Sequence, residues 1–264
     1  MSFWHSLALG IMQGISEFIP ISSSGHLVVM RALMGIDEIP LLYDVILHIA
    51  TLIVVVVFFR ERIVRMLAAV VRWVLRRSSD DDRIDRKLAL LVIIGTAVTV
   101  AVALAIRPLD LHLYPKIVAG GFLITAALLI LSHFTGGETG YEGVGKRHAF
   151  IVGAVQGLAT IPGISRSGST IFAALASGVS RKRAAEFSFL LSIPAIIGAL
   201  VLELRDFGDL EAVVPPAAMA AGFAGSLVFG FLSLWLLVRL IRGGRLWVFS
   251  VYLIPLGIWA LFAL

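Results

Sequence analysis

The stretch QGISEFIPISSSGH, residues 13–26, interrupts a hydrophobic N-terminal segment with a carboxylate, a proline, three consecutive serines and a histidine. Pro20 cannot continue an α-helix, and a serine that follows it can cap the next helix. Residues 3–34 are therefore predicted to form two short helices joined by a polar turn. Each piece, roughly 10 to 16 residues long, is too short to cross a membrane, so we expect a re-entrant hairpin.

A second stretch repeats this pattern. VQGLATIPGISRSGSTI, residues 155–171, aligns with MQGISEFIPISSSGHLV, residues 12–28, because both carry Gln-Gly, a proline, Ile-Ser and Ser-Gly in nearly the same order. A second re-entrant hairpin is therefore predicted at 147–178. The internal repeat divides the chain into two halves, 1–137 and 147–264, each with one hairpin followed by three spans.

The composition identifies the class of protein. Of the 264 residues, 59% are hydrophobic and 15% are charged, and the mean hydropathy of +0.99 is far above that of a soluble domain. The absence of cysteine excludes disulfide and thiol chemistry. The first residues, MSFWHSLALG, lack the basic region and the cleavage site of a removable signal peptide, so the first segment is expected to stay in the mature protein.

We predict an all-α integral membrane protein, a single membrane domain of six transmembrane helices and two re-entrant helix–loop–helix hairpins. The predicted spans are 41–59, 88–107, 116–133, 184–203, 215–240 and 246–263. Because a hairpin returns to its starting side and three spans are an odd number, the two halves must have inverted topology. Such repeats place binding sites where broken helices meet near the midplane.

The loop charges agree with this topology. Of the 22 Lys and Arg residues, 17 fall in the predicted inner loops and four in the outer loops. The inner loops are 60–87, 134–148, 179–183 and 239–245, and the outer loops are 31–41, 107–116 and 204–214. The net charge of +5 therefore reflects membrane orientation and does not indicate nucleic-acid binding. The basic loop 60–87 is expected to contain an amphipathic helix on the inner leaflet.

The two tips carry groups that suit a bound anion. The serines of the first tip leave backbone N–H groups free at the start of a helix. In the second tip, Gly163 and Gly168 permit a nest of N–H groups, and Arg166 adds a planar charged fork that matches phosphate oxygens. Glu17 lies on the same helical face as Gln13, one turn before the serines. Together these groups predict an anion-binding site shared by the two tips.

Less specific interpretations remain open. An ionised group inside a membrane segment costs at least about 2.5–3.5 kcal/mol and needs a partner, so Glu17 and Arg166 could form a purely structural ion pair. Serines at a helix break are often caps only. His26 could be an interfacial histidine. Four other ionisable residues are interpreted as structural because they lie near segment ends: Asp44, His48, His133 and Glu186.

Both motifs resemble the signatures of the undecaprenyl-diphosphate phosphatase family, the bacitracin-resistance type of membrane phosphatase. The first signature, an acidic motif followed by Pro-x-Ser-Ser-x-Gly-His, is matched by residues 13–26, and the second, Pro-Gly-x-Ser-Arg-Ser-x-x-Thr, by residues 162–170. The resemblance continues through YDVILHIATLIVVVVFFR and SRKRAAEFSFLLSIPA, so it covers nearly the whole chain. It implies hydrolysis of undecaprenyl diphosphate to undecaprenyl phosphate and inorganic phosphate in the bacterial inner membrane. That reaction recycles the lipid carrier of cell-wall synthesis and confers bacitracin resistance.

The resemblance also implies roles for individual residues. The candidate catalytic residues are Glu17, Ser23, His26 and Arg166. The candidate substrate-binding residues are Ser22, Ser24, Ser165, Arg166, Ser167 and Thr170. A divalent cation, Mg²⁺ or Ca²⁺, is implied with Glu17 and Gln13 as ligands, although a neutral amide binds these ions less strongly than a carboxylate. The expected partners are a polyprenyl diphosphate substrate and membrane lipids, and a homodimer is left open.

Two questions about function stay open at this stage. The nucleophile could be Ser23, with a phosphoserine intermediate and His26 as base or acid, or a water molecule activated by Glu17 or His26. The competing function is a transporter or flippase of polyprenyl phosphate, because inverted repeats with broken helices are typical of alternating-access carriers.

Overall fold

The computed structural model describes residues 1–36, 41–109, 111, 114–203 and 214–263. These residues form eleven α-helices: α1 Phe3–Phe18, α2 Ser23–Met34, α3 Leu41–Phe58, α4 Arg60–Val74, α5 Arg83–Ile106, α6 Pro115–Leu131, α7 Lys146–Leu158, α8 Arg166–Ala176, α9 Arg181–Glu203, α10 Pro216–Arg242 and α11 Ser250–Ala263. The part of the chain described contains no β-strand, only one isolated bridge between Thr139 and Val179.

The chain breaks at both predicted tips, and the two breaks are capped alike. Helix α1 ends at Phe18, and the next helix begins with Ser22 as its N-cap, whose hydroxyl accepts a hydrogen bond from the Gly25 N–H at 3.3 Å. In the second tip, the Ser165 hydroxyl accepts from the Gly168 N–H at 3.1 Å. In both tips, a serine caps the helix by accepting a hydrogen bond from the glycine three residues later. The two serines occupy positions that the sequence repeat aligns.

The first helix of each half packs against a long helix of the other half. Helix α1 packs most extensively on α10, and α7 packs most extensively on α5. Both contacts depend on facing glycines: a Cβ at Gly10 would overlap the backbone of Gly222, and a Cβ at Gly153 would overlap the backbone of Gly95. Small residues at such crossings let two backbones approach closely, as in membrane helix pairs. Each hairpin is thereby held by a long helix of the opposite half.

We expect Gly10→Ala to destabilise the protein, because the added methyl group has no space against Gly222. Overpacking of this kind costs about 1–3 kcal/mol. The measurement is the thermal unfolding midpoint in detergent. Gly198→Ala is the matched control, since a Cβ at Gly198 meets nothing within 4 Å and alanine favours a helix by roughly 0.5–1 kcal/mol over glycine. Equal midpoints for the two variants would contradict the close packing of α1 on α10.

Four helical segments in the described residues are long and apolar enough to cross a membrane: Asp80–Leu109, Arg181–Val201, Pro216–Arg242 and Leu246–Ala263. A fifth is added if α3 and α4, which meet at a bend of 77°, count as one broken span. The predicted span 116–133 is represented by α6, a helix of 17 residues, whose length of about 26 Å is shorter than a bilayer core of about 30 Å. The six spans and the re-entrant hairpins therefore stay predictions.

Parts of the predicted outer loops, residues 37–40, 110, 112, 113 and 204–213, lie outside the described residues. Within the described residues, Arg62 of α4 donates to Asp85 at 2.7 Å and to Glu186 at 2.6 Å. The guanidinium groups of Arg62 and Arg183 lie over the ring of Tyr141. Burial raises the pKa of Tyr141, so its phenol stays neutral. This cluster ties α4, α5 and α9 to the loop before α7.

Candidate active site

Glu17, in the last turn of α1, is the centre of the site. Its side chain is only 4% exposed, and both carboxylate oxygens are bound. Oε1 accepts from the Arg166 guanidinium, while Oε2 accepts from Ser23 Oγ at 2.7 Å and from Gln13 Nε2 at 3.1 Å. The Nε2 atom of His48 lies 3.4 Å from Oε2. Groups from α1, α2, α3 and α8 thus meet at one carboxylate.

The ion pair between Glu17 and Arg166 joins the two tips across 149 positions of sequence. Arg166 is the first residue of α8, directly after its N-cap Ser165, and its side chain is 22% exposed. Two opposite charges held together in a largely apolar bundle satisfy each other in the absence of an anion. Because the guanidinium keeps free N–H donors and some exposure, it can also bind an incoming anion.

A cavity of about 160 Å³ lies beside this ion pair. Its polar lining consists of Ser16, Glu17, Ser23, Ser24, His48, Thr160, Ser165 and Arg166. A second cavity of about 290 Å³ adjoins it, sharing His48, Thr160 and Arg166, and carries Asp44, Thr99 and Gln156 with several alanines. A mainly apolar cavity with a few polar side chains therefore extends from the tips toward α3, α5 and α9.

Two helices start at the cavity. Ser23 and Arg166 are the first residues of α2 and α8, so the free N–H groups and positive ends of both helices are directed at the same region. A helix start of this kind favours a phosphate or carboxylate. The two helix starts and the guanidinium of Arg166 provide several positively polarised groups in one place. Such a site suits a ligand with more than one phosphate group.

The structure does not bring His26 into this group. Its Nδ1 lies 2.8 Å from the Ser22 carbonyl and its Nε2 lies 2.9 Å from the Tyr252 hydroxyl. The ring stacks on Tyr252 and packs edge-on against Phe122. Both nitrogens are therefore occupied, Nδ1 by the Ser22 carbonyl in the tip and Nε2 by Tyr252 on α11, and neither is bonded to Ser23 or Glu17. A direct acid or base role for His26 remains a prediction that this arrangement does not favour.

Three predicted binding hydroxyls hold the tips in place. Ser22 caps α2, the Ser167 hydroxyl donates to the Phe18 carbonyl at 3.3 Å, and the Thr170 hydroxyl contacts Ser188 of α9. None of the three lines the cavity beside Glu17. Ser24 and Ser165 do line it. The binding roles of all five residues remain predictions. The geometry nevertheless separates Ser24 and Ser165, which face the cavity, from the three residues that hold the tips in place.

The position of His48 next to Glu17 is not predicted by the sequence, which indicates only a structural role for this residue. His48 lies within apolar α3, and it lines both the polar cavity beside Glu17 and the mainly apolar cavity next to it. The signal was present, because an ionisable side chain inside a membrane segment is a candidate functional residue. Asp44, one turn earlier, also lines the second cavity, but its carboxylate is paired with Arg31.

The implied cation can be tested against these residues. The Oε1 atom of Gln13 is buried and has no hydrogen-bond partner, and the amide lies against Glu17. A buried acceptor next to a carboxylate is a pair of oxygen ligands that Mg²⁺ or Ca²⁺ can use. The described residues contain no group of three or more His, Cys, Asp or Glu side chains that could hold a metal. The donor set thus fits an ion that is shared with substrate phosphates.

Comparison with known proteins agrees with the two motifs. The model of the family described as bacitracin resistance protein BacA matches residues 6–259. The chain belongs to this family. It is 40% identical over 262 residues to an undecaprenyl-diphosphatase of Treponema denticola, which covers 98% of this chain and 96% of the relative. The undecaprenyl-diphosphatases of Methanosphaera stadtmanae and Desulfosudis oleivorans are 40% and 41% identical, and each match covers 96% of this chain and 95% of the relative.

The match to the BacA family covers the whole site. Glu17, Ser23, His48 and Arg166 all lie inside the matched range, as do both hairpin breaks. Together with the apolar helices described above, family membership makes this a multi-pass membrane protein.

Proposed function

We propose that this protein hydrolyses undecaprenyl diphosphate to undecaprenyl phosphate and inorganic phosphate. The reaction regenerates the lipid carrier for cell-wall synthesis and lowers sensitivity to bacitracin. One observation carries the proposal: Glu17 of the first tip binds both Arg166 of the second tip and the Ser23 hydroxyl, next to a polar cavity. This places a phosphate-binding cation, a carboxylate and a hydroxyl at one point. The similarity to undecaprenyl-diphosphatases of other organisms supports the same reaction.

The diphosphate is bound by charge and by helix starts. Arg166 offers a bidentate fork to the terminal phosphate, and the N–H groups at the starts of α2 and α8 donate to its remaining oxygens. Ser24 and Ser165 add hydroxyl donors from the cavity wall. These donors are fixed before the substrate arrives, so they stabilise the charge of the transition state without a further reorganisation cost. The prenyl chain stays among the apolar helix faces, in the lipid.

Ser23 is the nucleophile in this proposal. Its Oγ–H already donates to Glu17 Oε2 at 2.7 Å, so the proton passes to the carboxylate as Oγ attacks the terminal phosphorus. The Oγ–P bond forms and the P–O bond to undecaprenyl phosphate breaks. The leaving undecaprenyl phosphate takes up the proton from Glu17. Water then cleaves the phosphoserine, which releases inorganic phosphate and restores the serine hydroxyl. In the alternative, Glu17 accepts a proton from a water molecule that attacks the phosphorus directly.

A divalent cation is part of the proposal. Glu17 and Gln13 would hold it, with the unpartnered Oε1 atom of Gln13 as one of the ligands. Such an ion would neutralise negative charge on the phosphate groups of the substrate. Because Gln13 is neutral, binding depends strongly on the substrate's own phosphates.

The membrane arrangement is proposed as well. The two hairpins are re-entrant, the halves 1–137 and 147–264 are inverted repeats, and the protein has six spans in the bacterial inner membrane. Two observations support this. The caps of the two tips are alike, and α1 packs on α10 while α7 packs on α5, an exchange that a two-fold relation between the halves requires.

The direct test is phosphate release from polyprenyl diphosphate by the purified protein, with and without a chelator. We expect turnover that the chelator removes and that added Mg²⁺ or Ca²⁺ restores. A carrier of polyprenyl phosphate would instead move a non-hydrolysable head group across liposomes and release no phosphate. Transport without any phosphate release, from protein that is folded by circular dichroism, would overturn the proposal.

Arg166→Lys should lower phosphate release by about 10²–10³-fold, the cost of losing one well-placed donor at a developing charge. Lysine keeps the positive charge and can still pair with Glu17, but it loses the planar fork. The thermal midpoint should therefore change little while turnover falls. Arg60→Lys, at an exposed position of α4, is the control and should match wild type. Near-normal turnover in Arg166→Lys would remove this residue from the phosphate site.

A further inference from the structure

A second group of charged side chains surrounds a cavity of about 620 Å³. Three long helices meet there: α3 ends at Phe58, α9 begins at Arg181 and α10 ends at Arg242. Six basic side chains line this cavity, against two carboxylates. It shares no lining residue with the cavity beside Glu17. The basic cavity is therefore a separate site with an excess of positive charge.

The buried carboxylate of the basic cavity is already paired. Glu186 Oε1 accepts from Arg62 at 2.6 Å, and its Oε2 accepts from Arg183 at 2.9 Å. Lys182 and Arg242 also line the cavity, and neither forms an ion pair with a carboxylate of the described residues. These two side chains are exposed. Two cations are thus left without a counter-ion, which attracts an anion to the cavity.

A smaller cavity of about 110 Å³ adjoins the basic one and is mainly apolar. Phe58, Lys182 and Arg242 line both cavities. Val238 and Ile241, on the last turns of α10, complete the apolar wall. A ligand that fills the two cavities must therefore carry negative charge at one end and a hydrocarbon chain at the other.

The helices place both cavities at the edge of the hydrocarbon layer. The segments Arg181–Val201 and Pro216–Arg242 are long enough to cross a membrane, and each contributes to the cavities from one of its ends. Helix α4 turns by 77° from α3 at the same point and exposes the apolar side chains of Val64, Leu67 and Val71. A helix with such a face lies along the membrane interface. The phosphate groups of phospholipids lie at that depth.

We propose that the basic cavity binds an anionic phospholipid. Lys182 and Arg242 bind its phosphate, because an ammonium and a guanidinium both donate to phosphate oxygens. The start of one acyl chain occupies the apolar cavity. Basic pockets between membrane helices recognise anionic head groups in this way. A zwitterionic lipid carries its own cation next to the phosphate, so it binds less tightly. The site is independent of the proposed hydrolysis.

The probe is phosphatidylglycerol, titrated into the purified full-length protein in detergent. Native mass spectrometry measures the apparent dissociation constant of the first bound lipid, and phosphatidylcholine with the same acyl chains is the reference. We expect the wild type to bind phosphatidylglycerol at least about tenfold more tightly. The double variant Lys182→Gln with Arg242→Gln should lose this preference, since each basic residue near a lipid phosphate contributes a factor of about five.

The matched control is the double variant Arg77→Gln with Arg83→Gln. Both arginines are exposed and line neither cavity, so the variant loses the same charge elsewhere on the basic loop 60–87. It should keep the wild-type preference. Lys182→Arg with Arg242→Lys retains both charges and should also keep it. If the Lys182 and Arg242 double variant does not fold, each single substitution to Gln should lower the preference by about fivefold.

Three results would overturn the proposal. The first is equal affinity of the wild type for the two lipids, or an unchanged preference in the Lys182 and Arg242 double variant. The second is displacement of phosphatidylglycerol by inorganic phosphate at the same concentration, because the apolar cavity would then contribute nothing. The third is tighter binding of polyprenyl phosphate that the same two substitutions remove, because the cavity would then hold the product of the proposed reaction.

Discussion

Glu17→Gln should reduce phosphate release by at least about 10³-fold, because the carboxylate is expected both to accept the nucleophile's proton and to bind the cation. The amide keeps the size of the side chain but loses the negative charge. It also leaves the Arg166 guanidinium without its ionic partner in an apolar bundle. The measurement is single-turnover phosphate release, with the thermal midpoint recorded on the same preparation.

Loss of stability could by itself inactivate this variant, since breaking a buried ion pair costs at most about 5 kcal/mol. The double variant Glu17→Gln with Arg166→Gln removes both charges and should regain part of the midpoint, but no activity. Glu142→Gln is the control for loss of a carboxylate, because Glu142 is exposed in the loop before α7. Substantial turnover in folded Glu17→Gln would show that Glu17 is only a structural partner of Arg166.

Much of the fold could be predicted because its signals are local. Pro20 ends a helix, serines cap the next one, and the repeat of these features at Pro162 and Ser165 places the second break. The ion pair between Glu17 and Arg166 was also foreseeable, since each charge needs a partner inside a membrane and the repeat relates the two tips. These inferences need no knowledge of which helix packs on which.

The side-chain directions could not be predicted, because distant helices decide them. His26 is turned to Tyr252, which lies 226 positions away on α11. His48 reaches the cavity because α3 packs on α9 and α10, a contact between the two halves. From the sequence alone, His26 is expected to lie closer to Ser23 than His48 does, because His26 and Ser23 are three residues apart on one helix. The structure instead places His48 beside Glu17, while both nitrogens of His26, the histidine of the motif, have other partners.

The bounds of the long helices also follow from local signals, but whether each helix crosses a membrane does not. Apolar runs predicted six spans, yet α6 has 17 residues and α3 ends at a 77° bend into α4. Hydropathy measures which residues tolerate lipid, whereas the helix ends depend on breakers and caps. Whether α6 crosses the full hydrocarbon core therefore stays a prediction.

Ser23→Ala should have the largest effect, a loss on the order of 10⁴-fold or more, since removing a nucleophile abolishes the covalent route. The variant should stay folded: Ser23 is partly exposed, and the cap of α2 is the hydroxyl of Ser22. Ser24→Ala is a matched control one residue away, because Ser24 lines the same cavity but makes no contact with Glu17. We expect phosphate release to fall by at most about tenfold in Ser24→Ala, because the loss of one hydrogen bond changes a rate by about that factor.

Acid quenching during turnover with substrate labelled in its terminal phosphate distinguishes the two routes. A phosphoserine intermediate leaves label on the wild-type protein and on Ser24→Ala, and none on Ser23→Ala. If water attacks directly, no variant is labelled, and Ser23→Ala keeps substantial activity because Glu17 still accepts a proton. The hydrogen bond of 2.7 Å from Ser23 to Glu17 favours the first result, since it aligns the hydroxyl with its base before the substrate binds.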